Sequence, residues 1–371
     1  MSLAFAQTPL RIDVVSDVRD IVQAGLPKLV DDIDTGKLYP GDFLRAIGTA
    51  GAFSTHAQVD DGVDLNIAID AMSEVSQVCG STSFMTWCQS TLVWYLANTD
   101  NQALKDKYLD MAAAGDMLGG TGLSNPMKSF FGIEKMKLKG KRVEGGYRVR
   151  GALPWVSNIG PEHIFGTIFE CEDGGKVMFV ADCADENVEL LECDSFLAMD
   201  GTGTYGVNFR DAFISDEMVL AHSALPFVKK IRGGFILLQS GMAIGLIRDC
   251  IAIMEKTKSS LGHVNKYLVG QQPEDFMAKL EALEARVRDL AATPYDTSDE
   301  YFQAVVEARL EAGDLTMAAA HAAMLHTGAR GYHKSHRAQR RMREAYFVGI
   351  VTPATKQLRK MLADMNAPQP A

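Results

Sequence analysis

The sequence predicts a mostly helical α+β protein with an N-terminal helical domain, a central antiparallel β-barrel or sandwich domain, and a C-terminal four-helix-type bundle. Three observations predict it. Apolar residues recur at helical spacing in the first third of the chain and again from residue 235 onward. Between them lie short runs rich in Val, Ile, Phe and Tyr, separated by Gly, Asp and Asn. Strand and helix signals do not alternate, which disfavours a doubly wound parallel sheet. The boundaries fall at 1–115, 116–222 and 223–366, with 367–371 as a frayed, Pro-containing tail.

In the first block, Pro40-Gly41 interrupts the chain ahead of Leu44 and Ile47, and Ile67, Ile69, Met72, Val75 and Val78 follow at mixed three-to-four spacings. Residues 84–96 are apolar on more than one face, so that segment belongs deep in the packing. The character changes at Gly119-Gly120. Strands are expected at 133–138, 147–149, 163–169 and 177–181, with hairpin turns at Gly145-Gly146 and Asp173-Gly174-Gly175, where glycine accepts positive φ. In the last block Phe276, Leu280, Leu283, Val287 and Leu290 step by four, three, four and three, as on the seam of a bundle helix. Phe302, Val305, Val306, Leu310 and Leu315 mark a second long helix, and Pro294 and Pro353 break the pattern.

Composition narrows the function. The 371 residues are 47% hydrophobic and 23% charged with only 12 Pro, which suits a large packed core and not a disordered chain. Thirty-seven basic against 47 acidic side chains leave a net charge of −10, which disfavours nucleic acid as a partner. No run of about 18 apolar residues occurs, so no membrane span is expected. Residues 1–7 lack a basic stretch, so no secretory leader is expected either. Six cysteines without a CxxC pair read as reduced thiols of a cytoplasmic protein.

Two motifs mimic chemistry. Gly201, Gly203 and Gly206 satisfy GxGxxG, but Val207-Asn208-Phe209 reads as strand, so a pyrophosphate would meet no helix terminus; the segment is read as a turn. His326, His333 and His336 lie among basic residues whose charge opposes a cation, and no metal site is expected. The basic run Lys334, Arg337, Arg340, Arg341 and Arg343 has two readings, a salt-bridged face or a clamp for a phosphorylated ligand.

Four stretches in order resemble the acyl-CoA dehydrogenase superfamily of flavoproteins. GGTGLSNP (119–126) is similar to its aromatic-x-x-Thr-Glu-Pro strand and loop, and GALPWVSN (151–158) to its Gly-x-x-x-Trp-Ile-(Thr/Ser)-Asn strand. YGVNFRDAFISDEMVL (205–220) resembles the end of its β-domain, and GARGY (328–332) followed by REA (343–345) its last-helix signatures. The resemblance implies an FAD site. A flavin ring needs hydrogen-bond donors along one edge and an apolar wall. Leu123 and Ser124 would face the pyrimidine edge, Ser157 would approach N5, Trp155 would lie against the ring, and Ser129 would reach the pyrophosphate. The family's Arg-x-x-Phe-Gly contact from a dimer mate falls on Lys258 and Leu261, and its Gly-Gly contact on Gly328 and Ala329. Lysine lacks arginine's planar fork, and Leu325 stands where the family has glutamine.

The same resemblance implies α,β-dehydrogenation of an acyl thioester such as acyl-CoA, by a homodimer or homotetramer. That reaction needs a carboxylate base. The family's two glutamate positions fall on Thr352 and Gln239, so the base is missing there; Glu344, Asp249 and Glu255 are the nearest carboxylates by sequence. Two alternatives stay open. One is a flavin-dependent monooxygenase or oxidase of the same fold, taking reduced FMN or FAD as co-substrate. The other is a relative without catalytic activity.

Overall fold

The computed structural model describes residues 13–58 and 63–367, so the expectations for residues 1–7 and for the tail beyond 367 lie outside the described residues. The first block holds α1 (Val14–Gly25), α2 (Val30–Asp34), α3 (Gly41–Thr49), α4 (Asn66–Ser76), α5 (Gly80–Asn98) and α6 (Gln102–Ala114). All 19 residues of α5 are buried, as its lack of a polar face requires. Gly115, at φ +82°, closes α6.

The middle block is β1 (Gly119–Thr121), α7 (Ser124–Phe130), β2 (Lys139–Val143), β3 (Gly146–Val156), β4 (Ile164–Cys171), β5 (Lys176–Asp182), β6 (Val188–Glu192), β7 (Tyr205–Ser215) and β8 (Val219–Ala221). The strands form one sheet in the order β6-β7-β3-β2-β4-β5-β8, with β1 beside β4. The hairpins β2–β3 and β4–β5 turn at Gly145 and Gly174, both at positive φ. The expected all-antiparallel arrangement needs correction, because β1 and β2 both pair with β4 in parallel. The long excursion from β1 to β4 allows this, since parallel neighbours require a crossover connection. Residues 133–138 are not a strand, which corrects that expectation, and Ser124 opens a short helix after β1. The GxGxxG segment is a turn that runs into β7, as its following residues predict.

Strand β4 is buried on both faces. Ile164 and Ile168 pack toward the helices, while Phe165 and Phe169 join the sheet's own core with Phe179 and Phe209.

The last block comprises α8 (Ala224–Leu237), α9 (Ser240–Asn265), α10 (Pro273–Ala291), α11 (Asp299–Thr327), α12 (Arg337–Ile350) and α13 (Thr355–Met365). The stretch Ala224–Asn265 is long and apolar enough by mean hydropathy, 1.6, to cross a membrane, but 89% of that window is buried in the protein. Its apolarity has a packing cause: a Cβ on Gly245 of α9 would meet the Ser73 carbonyl of α4 at 2.1 Å, so the two helices touch through backbone.

Candidate functional site

A cavity of about 390 Å³ opens between the β1–α7 and β3 segments on one side and α5, α8 and α12 on the other. Four residues singled out from sequence, Leu123, Ser124, Trp155 and Ser157, all line it. Its inner wall is aromatic. Phe84 meets Phe347 edge-on at 4.5 Å and stacks beside Trp87 at 5.8 Å, and Trp87 meets Phe235 at 5.2 Å. Trp155 stands at the mouth, 58% exposed, with Phe196 as its ring neighbour. An indole left that bare is no core residue. It offers a free apolar face to a ligand.

Several buried polar side chains hold these strands in place. Gln89 of α5 accepts from the Gly119 amide and donates to the Ala112 and Met117 carbonyls, which fixes the start of β1. At Gly120 a Cβ would lie 2.1 Å from the Ser157 carbonyl, so the two segments make their bridge backbone to backbone. Asn158 adopts φ +60°, a conformation its short amide tolerates. Its Nδ2 donates to the Gly119 carbonyl and its Oδ1 accepts from the Tyr39 hydroxyl, at 2.6 and 2.7 Å. Burial pushes the Tyr39 phenol up, so it remains a donor.

A ladder of hydroxyls sets the polarity of Ser157. Thr202 donates to the Met199 carbonyl, which leaves Thr204 to donate to Thr202 and Ser157 to donate to Thr204, at 2.7, 2.7 and 2.6 Å. Ser157 therefore turns lone pairs toward the cavity. Across the cavity, the Ser124 and Thr352 hydroxyls lie 2.9 Å apart.

Among the described residues, no side chain lining this cavity is a carboxylate. Gln239 is buried behind it and donates to the Thr352 carbonyl at 2.8 Å, so the two positions inspected for a base are joined to each other. The three nearest carboxylates by sequence are occupied elsewhere. Glu344, 1% exposed, accepts from Arg341, Arg340 and the Gly80 amide at 2.7, 3.2 and 3.0 Å. Asp249 accepts from Arg341 at 2.6 Å and from Arg337 at 3.1 Å. Glu255 is exposed beside Lys258. None of them lines the cavity.

A second cavity, of about 680 Å³, lies between α9 and the start of α12. Leu261 lines it, but Lys258 does not: that ammonium is held by Glu255 and Glu274 at 2.8 and 2.5 Å. The cations in its wall are Lys256, Arg330 and Arg337, with His336. Partial burial first, then these three charges, lower the His336 pKa. Gly328 and Ala329 form the short turn beside Arg330 without lining the cavity. Ser129 lines neither cavity.

The basic run is no single cluster. Helix α12 rotates Arg337 into the second cavity, Arg340 and Arg341 into a buried ion network, and Arg343 into the wall of the first, where Asp34 binds it at 2.5 Å. Lys256 and Arg330 were missed because each stands apart in sequence and only the fold brings them together.

The profile of the acyl-CoA dehydrogenase N-terminal domain matches residues 10–116. The short-chain-specific acyl-CoA dehydrogenase of Clostridium acetobutylicum is 23% identical over 367 residues, covering 93% of this chain and 94% of that protein. Residues 10–116 carry the N-terminal domain of the acyl-CoA dehydrogenases, and nearly the whole chain is similar to a member of that superfamily. Butyryl-CoA dehydrogenase of Megasphaera elsdenii superposes with a TM-score of 0.85 at 17% identity, over 98% of this chain and 99% of that one. A glutaryl-CoA dehydrogenase from Mycobacterium smegmatis, solved with FADH2, superposes at 0.82 and 15% identity, over 95% and 93%. These superpositions cover the helical blocks and the mixed sheet together, so the chain shares the whole fold and not one domain of it.

Proposed function

We propose that the protein is an FAD-dependent oxidoreductase acting on an acyl thioester in the first cavity. The observation that carries this reading is the convergence of Leu123, Ser124, Trp155 and Ser157 on one aromatic-walled space. The site fits a flavin ring: Trp155 supplies an exposed apolar face, and Ser124 and Ser157 supply hydroxyls to the same space. Bound flavin would supply a two-electron acceptor. The chain's own residues would hold the ring, keep water from the Phe84–Trp87–Phe235 end and orient the acyl group along it. The second cavity, with Lys256, Arg330 and Arg337, is placed to receive the phosphates of a dinucleotide held by a second copy, in a homodimer or homotetramer. All six cysteines are free, in keeping with a cytoplasmic protein.

α,β-Dehydrogenation requires a base, and a cavity lining that holds no carboxylate among the described residues favours a second reading. In it, a reduced FMN or FAD enters as co-substrate and oxygen is the oxidant, so no carbon acid has to be deprotonated. The polarity of Ser157 supports this, since a lone pair complements the N–H of a reduced ring better than the bare nitrogen of an oxidised one.

One spectrum separates these readings. A yellow protein bleached anaerobically by acyl-CoA supports dehydrogenation. A colourless protein that takes up reduced flavin and then consumes oxygen supports the second reading. Uptake of neither flavin state leaves a relative without catalytic activity.

A further inference from the structure

Arg309 of α11 is 2% exposed, and no carboxylate pairs with it among the described residues. Its Nε donates to Gln239 Oε1 at 2.6 Å, and its Nη2 to the Val348 carbonyl at 2.5 Å. Val348 lies in the last turn of α12, where carbonyls lack internal partners and a cation is favoured. That explains a cation at this place, but not its missing counter-ion. A buried charge without one costs several kcal/mol, and burial pulls this guanidinium down to about 10.

The charge is connected to the first cavity. Because arginine only donates, Gln239 must turn its oxygen to Arg309 and its Nε2 to the Thr352 carbonyl. Thr352 in turn meets Ser124, and both hydroxyls line the cavity. One hydroxyl hydrogen bridges the pair, which leaves the other to donate to a ligand. The two cations that line the cavity are matched, Lys128 by Glu134 at 3.1 Å and Arg343 by Asp34. Arg309, behind the lining, is a buried cation with no carboxylate on it among the described residues.

We propose that the Ser124–Thr352 hydroxyl pair, backed by Arg309 through Gln239, is a subsite for a negatively charged oxygen on the bound organic molecule. Ser124 and Thr352 make the contact, and Gln239 and Arg309 are positioning residues. The proposal goes beyond the flavin reading, because it specifies the charge of the molecule sharing the cavity and requires no flavin.

The test is a pH titration of 4-nitrophenol bound to flavin-free protein, since its phenolate absorbs in the visible. The bound phenol should ionise about one pH unit lower than the free one. Gln239→Glu, which gives Arg309 a carboxylate within an intact fold, and the double variant Ser124→Ala/Thr352→Val, which removes both hydroxyls, should each abolish that shift. Both should still bind 4-nitroanisole, which has no ionisable oxygen, as the wild type does. Arg309→Met should behave like Gln239→Glu if it folds, and the glutamate variant decides the matter if it does not. An unmoved or raised pKa, a shift that survives Gln239→Glu, or failure to bind 4-nitrophenol overturns the proposal. A protein that shifts the phenol but takes up no flavin keeps this subsite and loses the flavin reading; the opposite result does the reverse.

Discussion

The two ends of α12 treat buried charge in opposite ways. Toward its start, Arg340, Arg341 and Glu344 meet Asp249, the Gly80 amide and the Val78 and Gln77 carbonyls, and every charge finds a partner. At its other end, Arg309 touches only a carbonyl and an amide, beside a cavity lined by hydroxyls. The first arrangement joins α9, α12 and the α4–α5 connection into one body. It also takes up Glu344 and Asp249, two of the three carboxylates that stand closest in sequence to the expected base positions. Matched charge here builds architecture, and unmatched charge sits beside the place a ligand would occupy.

The largest effect expected is therefore structural. Glu344→Gln leaves Arg340 and Arg341 buried against a neutral group, and should cost about 3–5 kcal/mol in urea unfolding. A loss under about 1 kcal/mol would mean the network is not what joins these helices. The pH dependence follows from the same residue. Burial alone would raise the Glu344 carboxyl, but Arg341 and Arg340 outweigh it and hold the group below its ordinary 4.5. The unfolded chain takes up this proton first, so the contribution is complete above pH 4.5 and is lost as pH falls through the folded value. In Glu344→Gln that part of the acid limb should disappear.

At the cavity, Trp155→Ala should leave stability unchanged, because the indole is mostly exposed, and should weaken flavin binding about tenfold through the lost ring contact. Quenching of flavin fluorescence on titration measures it. Wild-type affinity in the variant would remove the ring from this wall.

Arg309→Met sharpens the comparison between the two ends of α12. It deletes two hydrogen bonds but also a desolvated charge, so stability should change by only about 1 kcal/mol in either direction. A loss as large as that of Glu344→Gln would place Arg309 with the structural network.

Much of this was legible in sequence, for local reasons. The turn glycines at 145 and 174, the segment of α5 that is apolar on more than one face and the four-three seam of α10 are properties of neighbouring residues, and each predicted its element. The parallel pairings of β4 are not local, since they join residues such as Gly119 with Ile164 and Lys139 with Glu170, far apart along the chain. The same limit applied at the site. Leu123, Ser124, Trp155 and Ser157 carry recognisable wording, whereas Arg309 is an ordinary residue in a long helix until Gln239 and Val348 are seen beside it. Ser129 and Lys258 stand at suggestive positions in sequence, yet Ser129 lines neither cavity and Lys258 is engaged by Glu255 and Glu274.

The smallest effect separates a direct contact from a scaffold. Ser157→Ala removes a hydroxyl from the cavity and should weaken flavin binding by roughly three- to tenfold, the worth of one hydrogen bond. Thr204→Val removes only the acceptor behind it, so Ser157 keeps its place but loses its fixed polarity. If Ser157 meets the ring as an acceptor, the valine variant should lose less than the alanine variant for reduced flavin, and should gain for oxidised flavin, because the freed hydroxyl can then donate. Equal losses in both variants and both redox states would mean that the ladder merely shapes the wall, and the contact to the ring would have to be sought at Ser124.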